Sequence, residues 1–169
     1  FRPPFEFKED RGLKGVYYKN RRFGEVAFDR IDNTVDWDFG KDSPAPGKID
    51  KQEYSVRWEG SVIAPETADY EFIVRSGHAT RFWVNDLEMP LIDAYVQSGS
   101  DEEYSEVIHL TGGRAYPIRL EFSKSNQGVK DDKHQKPEKP AYVSLEWKLP
   151  QRVAQIIPRR FLIPRKAPE

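Results

Sequence analysis

Residues 54–92 constrain the fold more than any other stretch, because polar and apolar side chains alternate there with a period of two. In YSVRWEGSV, Tyr54, Val56, Trp58 and Val62 share one parity with Gly60, while Ser55, Arg57, Glu59 and Ser61 take the other. Such a period places successive side chains on opposite faces of a strand. YEFIVR repeats the pattern with Tyr70, Phe72 and Val74 against Glu71 and Arg75, and Ile73 breaks it. In TRFWVND, Phe82 and Val84 face one way, Arg81 and Trp83 the other. APETAD and SGHAT separate the three segments, with Gly77 free to take a positive φ. The simplest reading is three successive antiparallel strands joined by short polar turns.

The flanks extend this reading. LKGVYY (13–18) predicts a first strand, and short strands fit within residues 27–31 and 35–39, separated by Asp32-Asn33. Asp32, Asp36 and Asp38 read as exposed turn carboxylates around a buried Trp37. Residues 104–110 and 116–122 alternate again, although Glu106 falls on the apolar side of the first. Pro117 lacks an N–H for a ladder bond and predicts an edge strand or a strand start. His109 reads as a surface residue. SKSNQGVKDDKHQKPEKP (123–140) reads as an exposed loop. YVSLEWKLP adds a strand with Val143, Leu145, Trp147 and Leu149 on one face. In the tail, Pro158, Pro164 and Pro168 point to an extended strap on the sheet, opened by one helical turn.

No segment sustains a long amphipathic helix, so the expected class is all-β: an antiparallel sandwich or barrel with long loops. A chain of 169 residues suffices for one buried core. Its division is a lead-in at 1–11, one domain at 12–164 and a tail at 165–169. A formal charge of −1 gives no general attraction to nucleic acid or acidic membranes. The absence of cysteine excludes disulfides and thiolate chemistry. No apolar run is long enough to span a bilayer. A start at Phe1 without an initiator Met reads as a fragment or processed form.

GLKGVYY, RIDNTVDWDFG, YSVRWEGSVIAPETADYEFIVRSG, TRFWVNDLEMPLIDAY, LTGGRAYPIRLEF, VSLEWKLP and IPRRFLIP follow one another with a spacing that resembles the PA14 domain. The family takes its name from anthrax protective antigen and also occurs in glycosidases, yeast adhesins and bacterial surface proteins. The resemblance covers residues 12–164 and implies a β sandwich. It also implies a non-catalytic, carbohydrate-binding accessory module of a larger secreted or surface bacterial protein. An extracellular, periplasmic or cell-surface location follows from it. In sugar-binding adhesins of the family, two aspartates in one turn hold calcium. Gly77 and His78 occupy those positions here, so calcium is left as an open cofactor.

On this resemblance the candidate ligand contacts are Gly77, His78, Trp83, Asn85, Asp86 and Asn126. His78 can donate or accept hydrogen bonds to a hydroxyl-rich ligand. Trp83 offers either a ring platform or packing beneath a loop. Asp86, Asp93 and Asp101, with Glu102, are the carboxylates that could approach a calcium ion, against a reading as ordinary turn residues. No nucleophile elbow, phosphate loop or zinc spacing is present. A glycan-active enzyme would need two convergent carboxylates, which no spacing promises. The competing reading is a structural or protein-interaction domain that positions a neighbouring domain without binding sugar.

Overall fold

The computed structural model describes residues 10–95, 102–125 and 140–169. In chain order the strands are β1 (Leu13–Tyr18), β2 (Val26–Asp32), β3 (Asp36–Gly40), β4 (Tyr54–Ile63), β5 (Ala68–Ser76) and β6 (Ala79–Val84). Then follow β7 (Ile92–Ala94), β8 (Glu103–Leu110), β9 (Ala115–Lys124), β10 (Ala141–Lys148), β11 (Gln155–Ile156) and β12 (Leu162–Ile163). They form two stacked sheets, a sandwich and not a closed barrel. The first runs β2-β1-β4-β9-β6-β7, with β12 also on β4; the second runs β11-β10-β5-β8, with β3 also on β10. The tail opens on β11 and not on a helical turn; a 3-10 turn, Arg159–Phe161, comes later, and β12 then lies extended along β4 as the prolines predict.

The core is the set of inward positions that the alternation singles out. Tyr54, Val56, Trp58 and Val62 of β4 and Ile118, Leu120 and Phe122 of β9 face Tyr70, Phe72 and Val74 of β5 and Val143, Leu145 and Trp147 of β10. Aromatic rings bridge the layers: Phe72 meets Phe82 at 5.3 Å between centroids, and Trp147 meets Phe161 at 5.5 Å. Each large ring removes on the order of 150–250 Å² from water, the dominant favourable term in folding.

The central segments are strands, yet they are not hairpins. β4 and β6 belong to one sheet and β5 to the other, so the chain crosses the sandwich twice within this stretch. The link from Ser76 to Ala79 contains only Gly77 and His78. Three residue steps at roughly 3.3–3.6 Å each just span the ~10 Å between stacked sheets when extended. The link is therefore a corner, and Gly77 is not among the glycines with positive φ.

Pro117 lies in a central strand, contrary to the edge or strand-start expectation. β9 is flanked by β4 and β6, with Pro117 opposite Ser61. The Pro117 carbonyl accepts a bond from the Asn85 amide (2.8 Å), and β6 ends at Val84. Its missing donor thus falls where the neighbouring strand has already turned away, through Asn85 at φ 65°.

Two of the edge strands carry charged residues on the parity of the core. β8 carries Glu106 on its inward parity, opposite Phe72, and β2 carries Arg30 and Asp32 inward. Inward charges on edge strands discourage edge-to-edge pairing.

Candidate functional site

On the outer side of the larger sheet, the polar parity of β4 aligns with that of its neighbours. Arg57 sits opposite Glu121, Glu121 opposite Arg81, and Arg81 opposite Asp93. The next row runs Lys14, Glu59, Arg119, Trp83. Arg57 pairs with Glu121 at 2.6 Å, Arg119 with Glu59 at 3.4 Å and Arg81 with Asp93 at 3.2 Å. Each guanidinium also lies over a ring: Arg57 over Phe23 at 4.8 Å, Arg81 over Tyr95 at 4.2 Å and Arg119 over Trp83 at 5.3 Å. Burial alone would raise the Glu59 carboxyl, but the bond and charge of Lys166, with Arg119 and Arg57, outweigh it and hold it below its ordinary value.

Serines at both ends of this face hold chain segments against it. Ser55 Oγ donates to the Asn20 carbonyl (2.6 Å) and accepts from the Phe23 amide (3.3 Å). Ser123 Oγ donates to the Arg21 carbonyl at 2.7 Å. At the other end Ser61 Oγ donates to the Arg165 carbonyl (2.5 Å) and accepts from the Ala167 amide (2.6 Å). These serines share the parity of the solvent-facing charges, yet all three are buried. Their regular spacing on that parity was the signal in the sequence; the segments that cover them come from distant parts of the chain.

Strand β6 divides the six predicted contacts. Gly77 and His78 precede it; Asn85 and Asp86 follow it. Seven residue steps from His78 to Asn85, at roughly 3.3 Å each, put these pairs at opposite ends of the sandwich. His78 is 5% exposed, its amide donates to Ser76 Oγ (3.1 Å), and its ring stands edge-on to Phe122 at 6.1 Å. Trp83 faces outward as its parity predicts but is only 7% exposed, beneath Arg119. Asn126 lies outside the described residues.

Two of the carboxylates proposed for calcium have local partners. Asp86 Oδ1 accepts the amides of Glu88 (2.9 Å) and Met89 (3.3 Å). Asp93 Oδ1 accepts from Arg81 Nε and the Tyr95 amide, both at 3.2 Å. Asp101 lies outside the described residues. Among the described residues no group of three or more His, Asp or Glu side chains is placed to hold a metal ion. His109 is on the surface as expected, paired with Asp69 at 2.8 Å.

One polar constellation departs from its predicted role. Asp32 is 3% exposed, not a turn carboxylate in solvent, because β2 aims it inward beside β1. It accepts from Tyr17 Oη (2.5 Å), Trp58 Nε1 (2.8 Å) and Arg30 Nε (2.7 Å). A Cβ on Gly15 would come within 2.8 Å of Asp32 Oδ2, so glycine leaves room for the carboxylate. Burial, and next the bond and charge of Asp32, push the Tyr17 hydroxyl far above its ordinary range. The Arg30 guanidinium lies between the rings of Tyr17 (4.6 Å) and Trp37 (4.8 Å), which joins the two sheets. Trp37 is half-buried rather than buried, while Asp36 and Asp38 are exposed as expected.

The family model described as the PA14 domain matches residues 9–159. Among curated proteins, the anti-sigma-I factor RsgI3 of Acetivibrio thermocellus is 33% identical over 157 residues, which are 93% of this chain and 22% of that protein. A solved anti-sigma factor domain-containing protein is 31% identical with a TM-score of 0.78, over 95% of this chain and 50% of that one. Another, from Clostridium clariflavum, is 28% identical with a TM-score of 0.77, over 94% and 49%. The chain thus spans about a fifth of the curated relative and half of the solved ones. A PA14 sugar-binding domain from an RTX adhesin, 15% identical with a TM-score of 0.68 over 92% of this chain and 99% of that one, shares the fold.

Proposed function

The chain belongs to the PA14 domain family, and from that premise we propose that it is a non-catalytic interaction module within a larger regulatory protein of the anti-sigma type. The observation that carries this reading is where sequence identity concentrates. Proteins described as anti-sigma factors keep 28–33% identity across nearly the whole chain. The sugar-binding adhesin domain, at 15%, shares architecture alone. The module acts outside the cytoplasm and works by contact: it positions or reports on a neighbouring domain, and it transforms no substrate. Its outer sheet face fits such a role, because planar charged groups stacked on rings lose little further freedom when a partner docks.

Carbohydrate contact is the second reading. The Gly77-His78 corner and Asn85-Asp86 do not form one site, so a sugar held at the corner would have Gly77 and His78 as its contacts among the described residues. Calcium, in that reading, has neither of the aspartates that the adhesins place in this turn.

Deletion of residues 10–169 from the full-length protein tests the leading reading, with a transcriptional reporter for the sigma factor that the protein controls. The expected result is intact sigma-factor capture with loss of the regulated response. An unchanged response would overturn it. In parallel, the domain is titrated with a polysaccharide panel with and without calcium, and reducing ends are assayed. Calcium-dependent binding would favour the second reading, and release of reducing ends would show catalysis.

A further inference from the structure

The two segments held on the outer face of the larger sheet are anchored differently. The loop over Ser55 and Ser123 is closed at both ends by β1 and β2, and the Lys19 amide donates to the Glu25 carbonyl at its base. The other segment is held by apolar burial at β12 and by polar bonds beyond it. Leu162 and Ile163 are fully buried, paired with Val62 and Ser61 of β4, and Leu162 accepts the Gly12 amide. From Arg165 onward the segment is held by two bonds to Ser61 Oγ, the Lys166–Glu59 ion pair, and a bond from the Leu87 amide to Glu169 Oε1 at 3.2 Å. The side chains of Arg165, Lys166, Pro168 and Glu169 are exposed.

We propose that residues 164–169 are a reversible strap, clamped across the outer face by Ser61 and Glu59, which opens while β12 and both sheets stay folded. The ordering entropy of six residues is set against a few polar bonds, and the fully buried apolar side chains end at Ile163. Local opening of such a segment lies at the low end of the stability range within a protein. Closure covers Ser61, which is 1% exposed although it faces outward, and places a cation on Glu59.

The strap responds to acid through Glu59. The groups that face this carboxylate are Lys166 from the strap, Arg119 from β9, Lys14 from β1 and Arg57 two positions along its own strand. All are cations that the neutral acid no longer attracts. The carboxyl is held below its ordinary value in the folded state, so its contribution is present at neutral pH and is lost as pH falls through that lowered value.

Amide exchange measured residue by residue by NMR, normalised to intrinsic rates, tests this on the wild-type chain and on Ser61→Ala and Lys166→Gln. The Ala167 amide should exchange at least about tenfold faster than the paired amides of β4 and β9 in the wild type. Ser61→Ala should speed Ala167 by about a further tenfold and leave the β4–β9 amides unchanged. Lys166→Gln should speed it at neutral pH, and the gap to wild type should close in acid. Protection of Ala167 equal to that of β4, or a Ser61→Ala effect that appears equally throughout the sheets, would overturn the strap. A Lys166→Gln effect that is the same at every pH would overturn the role of Glu59. None of these outcomes depends on the regulatory reading above.

Discussion

Replacing Asp32 with alanine should be among the most damaging single changes in the molecule. The substitution removes a buried acceptor from three donors at once: Tyr17 Oη, Trp58 Nε1 and Arg30 Nε. A buried donor left without a partner costs about 1–3 kcal/mol, so Tyr17 and Trp58 together lose roughly 2–6 kcal/mol. The Arg30 side chain is 37% exposed, so its pairing with Asp32 adds about 1 kcal/mol or less after solvent screening. Relief from desolvating the carboxylate offsets part of the loss. The expected net destabilisation is about 4 kcal/mol, a large share of the ~5–15 kcal/mol that holds a domain together. Urea unfolding followed by tryptophan fluorescence measures it. With an m value of about 2 kcal/mol/M, the midpoint should fall by about 2 M at unchanged slope. Tyr17→Phe keeps the ring stacked on Phe28 at 4.7 Å and should cost only about 1–2 kcal/mol, since Asp32 retains two donors. A midpoint shift below about 0.5 M for Asp32→Ala would mean that the three donors find water or other partners, and the reasoning from burial would fail.

Alkaline pH should weaken the fold through its tyrosines. Burial first, then Asp32, raises Tyr17 from its ordinary 10.0, and burial with the bond to Glu102 pushes Tyr142 up to about 12. The native state then binds more protons than the unfolded chain above pH 10, so stability falls with rising pH from that point. Urea midpoints should be level from pH 8 to about 10 and lower at pH 11, with a shallower fall in Tyr17→Phe; equal midpoints at pH 8 and 11 would refute this. Gly60→Ala would drive its new Cβ into the Ile163 carbonyl oxygen, with Leu13 Cδ2 at 2.8 Å, so something in the backbone must move. A loss of about 2–4 kcal/mol is expected, with faster exchange at Leu162 and Ile163; a loss under about 0.5 kcal/mol would show that β12 yields freely. Leu145→Ala, in the centre of β10 and 1% exposed, should cost about 2–5 kcal/mol by thermal or urea unfolding, as for a truncation in a packed core.

What the sequence determined by itself was the longer strands and the face that most of them present, while β11 and β12 lie within what it reads as an extended tail. The parity of Tyr54, Val56, Trp58 and Val62 is a local property of an extended chain, as is that of Phe82 and Val84, and burial follows it. The extended tail was equally legible, since Pro158, Pro164 and Pro168 leave little else. Only the tertiary structure decided which strands pair. Alternation is silent on whether a short link turns back within a sheet or crosses to the other, so the Gly77-His78 corner reads like a hairpin until both layers are in place. The same silence split the predicted contacts: residues close in sequence across a six-residue strand end up far apart in space. Pro117 was misplaced because its tolerance depends on where β6 stops, which is a property of the neighbour. Asp32 and the outward serines carried polar side chains that a sequence assigns to solvent. Their burial comes from donors on β1, β2 and β4 and from covering segments in the β1–β2 loop and the tail, and those partners meet them only once the two sheets have formed.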